Sequence, residues 1–175
     1  MRLTRMGHTE AFDVLVRRHS RWLVQLVAKL TADAGFAEEV TQDVWLSVWR
    51  GRSQYEAGNF RVYLITAARN RARNRARGIG RRTAAHAALA REPTHSAPDQ
   101  LDELLARERR LEVLNALGSL RAEEREALVL RYGEDLDYET IVRITEIKPG
   151  TLRAQVHRAI AGLRARLSRG KAAVR

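Results

Sequence analysis

Arginine and asparagine recur together between Ala68 and Arg77, in the stretch ARNRARNRAR, which contains no acidic residue. A guanidinium group presents a planar fork that matches phosphate oxygens, and an asparagine amide can both donate to and accept from a base edge. The chemistry indicated by this stretch is therefore nucleic-acid binding. No acid occurs from Ala57 to Arg91, so the sequence predicts that nothing local neutralises the positive charge.

A helix over this stretch would sort the side chains by position, because successive residues turn by about 100°. The alanines would then face the core, and two arginine ridges would flank an amide stripe. The first ridge is Arg69, Arg73 and Arg77, the second is Arg71 and Arg75, and the stripe is Asn70 and Asn74. A solvated charged face is the ordinary role of such a helix, but the missing counter-charges favour a phosphate-binding surface.

A second basic stretch, near the C-terminus, has the pattern of a helix-turn-helix. Asp137 is placed to cap a short helix, and Pro149 takes the first-turn position that proline favours in the next one. That second helix would bury Leu152 and keep a polar, basic face, which is typical of a helix that reads the major groove. An ordinary helical hairpin is the alternative. The polar residues are Lys148, Thr151, Arg153, Gln155 and Arg158.

Helices must position both surfaces, because apolar residues recur with the helical period and no segment has the pattern of a strand. The predicted fold class is all-α. Predicted helices cover 9–30, 37–50, a segment from Phe60 through the arginines, 101–120, 122–132, 137–144 and 149–168. Glycine, proline and small polar residues between them predict a flexible linker. The predicted domains are a helical domain at 1–78, the linker at 79–100, a helix-turn-helix domain at 101–170 and a basic tail at 171–175.

Composition narrows the function further. The chain has 175 residues and a formal net charge of +11, which predicts a polyanionic partner. It has no cysteine, and its histidines lack metal-ligand spacing, so we expect neither a metal site nor a cofactor. No nucleophile–base set or phosphate-binding glycine loop is present, so enzymatic activity is not expected. The lack of a long apolar run or signal sequence predicts a cytoplasmic protein without membrane insertion.

Both basic stretches resemble parts of one family. EAFDVLVRRHSRWL, AGFAEEVTQDVWLSVWR and FRVYLITAARNRARNRAR resemble region 2 of bacterial RNA polymerase sigma factors of the sigma-70 family, and 119–167 resembles region 4. The overall pattern is similar to the extracytoplasmic-function group. The resemblance implies a region 2 helical bundle joined to a region 4 helix-turn-helix. It also implies binding to core RNA polymerase, recognition of minus-ten and minus-thirty-five promoter elements, and promotion of DNA melting for transcription initiation.

The resemblance implies roles for individual residues as well. The loop 51–59 matches a loop that captures a flipped promoter base. Residues matching the polymerase-docking helix are Glu38, Glu39, Gln42, Asp43, Trp45 and Trp49. Residues assigned to the minus-ten element are Phe60, Arg69, Asn70, Arg73, Asn74 and Arg77. Residues assigned to the minus-thirty-five element are Lys148, Thr151, Arg153, Gln155 and Arg158. An anti-sigma factor is a further partner expected by resemblance, and it would be able to hold the protein at the membrane.

Several positions depart from the family pattern. Tyr63 stands where tryptophan is usual, Asn74 where aspartate is usual, and Gln155 where arginine is frequent. Glu146 replaces a common turn glycine, which lowers turn stability. Lys148 replaces a serine or threonine helix cap, which forfeits about 1 kcal/mol and places a cation at a helix N-terminus. A DNA phosphate at that terminus would compensate.

Two other functions fit parts of the sequence. One is a helix-turn-helix transcriptional regulator with an N-terminal sensing or dimerisation module. The other is a non-specific RNA-binding protein. The acidic and aromatic helix at 37–50, followed after the loop by the basic helix, argues against the regulator. Promoter specificity separates a sigma factor from the RNA-binding protein.

Overall fold

The computed structural model describes residues 1–56, 58–79 and 100–173, with side chains over 1–56, 58–75 and 105–166. Within these ranges every regular element is a helix, which confirms the predicted all-α fold class. The chain divides into two compact units. Most of the predicted linker and the end of the predicted tail lie outside the described residues, so the predicted domain boundaries stay a prediction. No helix in the described ranges is long and apolar enough to cross a bilayer.

The helices lie close to their predicted positions. Unit 1 contains α1 (Arg2–Arg5), α2 (Thr9–Thr31), α3 (Ala37–Arg50), a 3₁₀ turn (Arg52–Gln54) and α4 (Phe60–Ile79). Unit 2 contains α5 (Gln100–Gly118), α6 (Ala122–Leu128), a π-helical turn (Val129–Gly133), α7 (Tyr138–Thr145) and α8 (Pro149–Ala173). The predicted helix 122–132 is therefore α6 followed by a turn with a hydrogen bond to the fifth residue back, from the Glu134 N–H to the Val129 carbonyl.

Unit 1 is a bundle in which α2, α3 and α4 pack against one another. Its core consists of fully buried aliphatic side chains from all three helices, and burying each one contributes about 1.5–3 kcal/mol. The largest are Leu23, Leu26, Val27, Val44, Val48, Leu64 and Ile65. Ala68 and Ala72 are buried as well, so the alanine face of α4 points inward as predicted. The small side chains bring the α4 backbone close to its neighbours.

Unit 2 is held together chiefly by packing of α6 against α8. Leu130, Ile141 and Leu152 are fully buried at its centre. Gly162 of α8 lies against Leu120, and a Cβ at this glycine would stand 3.2 Å from Leu120 Cδ2. The glycine therefore permits a close approach between α8 and the α5–α6 connection.

Candidate nucleic-acid and protein interfaces

The outer face of α3 presents a compact acidic and polar surface. Val40, Val44 and Val48 bury the opposite face of this helix, so the residues between them point outward. Four of the six residues assigned to polymerase docking are exposed, namely Glu38, Glu39, Gln42 and Asp43. Leu46 follows them on the same face and is 51% exposed, which sequence reasoning missed. Its spacing of three and four residues from Asp43 and Gln42 was the available signal.

The two tryptophans of α3 take positions different from these acids. Trp45 is 7% exposed, and its Nε1 donates to Ser20 Oγ at 3.0 Å. Phe12 packs edge-on against Trp45 at 5.7 Å and contacts Trp49 at 5.0 Å between ring centroids. The guanidinium of Arg52 stacks over half-buried Trp49 at 4.2 Å. Trp45 is therefore a core residue that supports the outer face, and Trp49 joins that face to the following loop.

Aromatic rings hold the loop between α3 and α4. The Tyr55 ring is buried, and its hydroxyl donates to the Gly58 carbonyl at 2.8 Å. Half-buried Phe60 stacks near Tyr63 at 6.2 Å and meets His19 edge-on at 5.6 Å. Burial lowers the pKa of His19, and the nearby charges of Arg18 and Arg61 lower it further. This imidazole therefore stays neutral near pH 7 and packs as an aromatic ring.

The stretch of α4 from Tyr63 to Asn74 borders an open groove that Ser47 of α3 also lines. The groove has a volume of about 420 Å³, and its polar lining includes Asn70, Asn74 and Arg71. Tyr63, Thr66, Ala67 and Ser47 complete the lining. The predicted amide stripe thus forms a concave surface together with one arginine. An aromatic ring, two amides and a guanidinium are the groups that stack on and hydrogen-bond to an unpaired base.

The two arginine ridges are not both presented to solvent, which corrects the prediction. Arg69 is 7% exposed, and its Nη1 donates to Asn70 Oδ1 at 3.3 Å. Arg75 pairs with Glu39 of α3, so a local acid does neutralise part of the stretch. The prediction failed because it counted acids along the chain, whereas α3 packs beside α4. Arg73 is exposed, and the Arg77 side chain lies outside the described residues.

Both ends of α7, the first helix of the helix-turn-helix, have the chemistry that the sequence predicts. Asp137 caps α7, since its Oδ1 accepts a hydrogen bond from the Thr140 backbone N–H at 2.6 Å. This hydrogen bond lowers the pKa of the Asp137 carboxyl, and nearby Arg143 and Arg131 lower it further. Glu146 ends α7 with φ 59° and ψ 19°, in the left-handed region where glycine is favoured. The expected strain at this position is therefore present.

Four of the five residues assigned to the minus-thirty-five element are exposed, namely Lys148, Thr151, Arg153 and Arg158. Gln155 is only 8% exposed, and its buried Oε1 has no hydrogen-bond partner among the described residues. The guanidiniums of Arg131 and Arg153 lie 5.6 and 5.8 Å from the Tyr138 ring centroid. Arg131 comes from the π-helical turn before α7, where its Nη1 also pairs with Asp135 at 3.5 Å, and sequence reasoning did not identify it.

Known families match both units. A model described as Sigma-70 region 2 matches residues 15–82, and one described as Sigma-70, region 4 matches residues 110–163. RNA polymerase sigma factor CarQ of Myxococcus xanthus is 35% identical over 165 residues, which cover 91% of this chain and 91% of that protein. The chain belongs to the sigma-70 family. Unit 1 of this sigma factor carries region 2, and unit 2 carries region 4.

Further relatives place the sigma factor in the extracytoplasmic-function group. The ECF RNA polymerase sigma factor SigK of Mycobacterium sp. (strain KMS) is 30% identical over 162 residues, covering 89% of this chain and 82% of that protein. Sigma factor RpoE of Bartonella quintana, solved with the anti-sigma factor NepR, shares the fold at a TM-score of 0.69 and 23% identity. That alignment covers 91% of this chain and 98% of that one. CnrH, solved with the cytosolic domain of CnrY, has a TM-score of 0.68 at 22% identity, with 95% and 93% covered.

Membership in this family makes the chain a promoter-recognising factor for transcription initiation. The helix-turn-helix regulator and the RNA-binding protein are not favoured, because regions 2 and 4 occur together in one chain.

Proposed function

We propose that this sigma factor docks on core RNA polymerase through the outer face of α3. The exposed set is Glu38, Glu39, Gln42, Asp43 and Leu46. An exposed leucine surrounded by acids has the composition of a small interface, with an apolar centre and a polar rim. Trp45 supports this surface from the core by holding α3 against α2. Trp49 holds the loop that follows α3 through its contact with Arg52. Leu46 is the anchor of this proposed surface.

The minus-ten element is read, in this proposal, at the groove between α3 and α4. Asn70 and Asn74 offer donors and acceptors to an unpaired base, and Arg71 lies between them. Arg73 and Arg77 bind the flanking phosphates. Buried Arg69 supports the groove through Asn70, and Phe60 supports the base-capturing loop through its ring contacts. Opening of the duplex then requires no catalytic group, because binding the displaced strand supplies the free energy.

The minus-thirty-five element is read by α8 in the major groove. In this proposal, base edges or phosphates are contacted by Thr151, Arg153 and Arg158. Lys148 binds a phosphate at the N-terminus of α8, and that phosphate takes the place of the missing helix cap. Gln155 is buried behind these residues and supports them by packing. Arg131 adds a phosphate contact from the turn before α7.

An anti-sigma factor is the further partner in this proposal. The similar structure of RpoE was solved with the anti-sigma factor NepR, and that of CnrH with the cytosolic domain of CnrY. The site of action is the cytoplasm, and a membrane-bound anti-sigma factor would hold the sigma factor there until a signal releases it. Such a partner would cover the same exposed surfaces that polymerase and DNA require.

The observation that carries this proposal is the exposed face of α3 lying beside the polar groove that α3 shares with α4. Run-off transcription with purified core polymerase and genomic fragments tests it. The sigma factor is expected to create new start sites, whereas a regulator would only modulate existing ones and an RNA-binding protein would do neither. Leu46→Ala should weaken polymerase binding about tenfold, while Leu111→Ala, an exposed leucine of α5, should not.

Promoter opening is tested with the double variant Asn70→Ala/Asn74→Ala. Permanganate footprinting should show the loss of the melted region while polymerase binding stays unchanged. The matched control is Asn115→Ala, which removes an exposed amide from α5 in unit 2. Unchanged melting in the double variant would refute the assignment of the groove.

A further inference from the structure

The side chains of Arg75 and Glu39 form a closed, two-pronged ion pair between α4 and α3. Arg75 Nη1 donates to Glu39 Oε1 at 2.8 Å, and Nη2 donates to Oε2 at 3.0 Å. This is the geometry in which a guanidinium also binds two oxygens of a phosphate. The carboxylate of Glu39 therefore occupies the two terminal nitrogens of Arg75 that a DNA phosphate would bind.

The surroundings of Arg75 hold it toward α3. Its Cζ lies 4.9 Å from the centroid of the Phe36 ring, at the start of α3. Its Nε is buried and has no hydrogen-bond partner among the described residues. The Arg75 side chain is 35% exposed and that of Glu39 is 56% exposed, so DNA phosphates can reach the pair from solvent.

We propose that Glu39 is an internal competitor of DNA phosphate for Arg75 and lowers the affinity of the free sigma factor for DNA. The Arg75 guanidinium can hold only one oxyanion in the two-pronged geometry. Two-pronged binding of a phosphate to Arg75 therefore requires that the ion pair with Glu39 break. A phosphate contact at Arg75 is thus absent while the pair is closed. The inference rests on the proposed function only in placing α4 against DNA.

Binding of the polymerase-free protein to fluorescent duplex DNA, measured over a series of salt concentrations, tests the competition. Glu39→Gln should raise affinity about three- to tenfold at low salt and steepen the slope of log K against log salt by about 0.9, the value of one added phosphate contact. Glu38→Gln is the control, since it removes the same charge from the neighbouring exposed position. It should change the slope by less than half as much.

The same comparison in an Arg75→Ala background isolates the pair. Arg75→Ala alone should reduce the affinity for DNA less than twofold. The double variant Arg75→Ala/Glu39→Gln should bind DNA no more tightly than Arg75→Ala does. Equal gains with and without Arg75 would overturn the proposal, because the effect would then be long-range charge alone. An unchanged affinity and slope for both Glu39→Gln and Glu39→Ala, in protein with native circular dichroism, would overturn it too. Transcription assays are not involved, so failure of polymerase docking is a separate result.

Discussion

Arg158 Nε donates to Glu124 Oε1 across 3.0 Å, joining the exposed face of α8 to the first turn of α6. The Glu124 side chain is 12% exposed and that of Arg158 is 55% exposed. This bond uses one edge of the guanidinium and leaves both terminal nitrogens for other acceptors. Arg75 differs, because Glu39 takes both of its terminal nitrogens. The arginine of unit 2 thus keeps its two terminal nitrogens for other acceptors, whereas both terminal nitrogens of the arginine of unit 1 are held by Glu39.

Loss of the Glu124 carboxylate should weaken readout by Arg158. Glu124→Ala is expected to reduce holoenzyme binding to a promoter with an intact minus-thirty-five element about three- to tenfold, because the guanidinium must then be ordered on binding. Competition binding of the holoenzyme to promoters with an intact or a scrambled minus-thirty-five element measures this loss of affinity. Glu124→Gln keeps an oxygen acceptor and should recover most of the loss, and Glu123→Ala should have little effect. An equal loss on the scrambled element would contradict the positioning role.

The cap at Asp137 should make the stability of unit 2 depend on pH. The pKa of this carboxyl is lowered in the folded state by its hydrogen bond to Thr140. Its contribution is therefore fully present above the unfolded pKa of about 3.9 and is lost as pH falls through the lowered folded value. Asp137→Ala should lower the Tm by a few degrees at pH 7, and the difference should vanish in strong acid. Thermal unfolding by circular dichroism at several pH values tests this.

The hydrogen bond from Trp45 to Ser20 should support the fold of unit 1. Ser20→Ala leaves a buried indole N–H without this acceptor and is expected to cost about 1–2 kcal/mol of unfolding free energy in urea titrations. Ser53→Ala, at an exposed position, should stay within about 0.5 kcal/mol. Trp45→Phe should lose polymerase affinity only as far as it loses stability. Lost affinity at unchanged stability would instead make Trp45 a direct contact.

The left-handed backbone at Glu146 should be relieved by glycine. Glu146→Gly is expected to stabilise unit 2 by about 0.5–1 kcal/mol, because glycine adopts a φ near 59° without steric cost. Glu139→Gly places the same change in the first turn of α7 and should instead destabilise, by at most about 1 kcal/mol. Chemical denaturation of the three proteins compares them. Equal destabilisation by both variants would contradict strain at Glu146.

Helix positions followed from the sequence because they depend on local patterns. The 3.6-residue apolar period located α2, α3 and α8, and the alanine face of α4 was correctly directed inward. Asp137 as a cap and Glu146 as a strained turn residue were also recognised, since each depends on the backbone within four residues. The π-helical turn after α6 was not, because a single turn of five residues is too short to leave a distinct apolar pattern.

What the sequence determined by itself was the all-α class, the two basic helices and the family to which they belong. Only the tertiary structure decided which arginines face solvent and which are occupied. Glu39 and Arg75 lie 36 residues apart, and Glu124 and Arg158 lie 34 apart. Burial of Arg69, Gln155 and Trp45 likewise depends on neighbouring helices. Such pairings arise from the packing of whole helices, whereas propensity and periodicity act over a few residues of one helix.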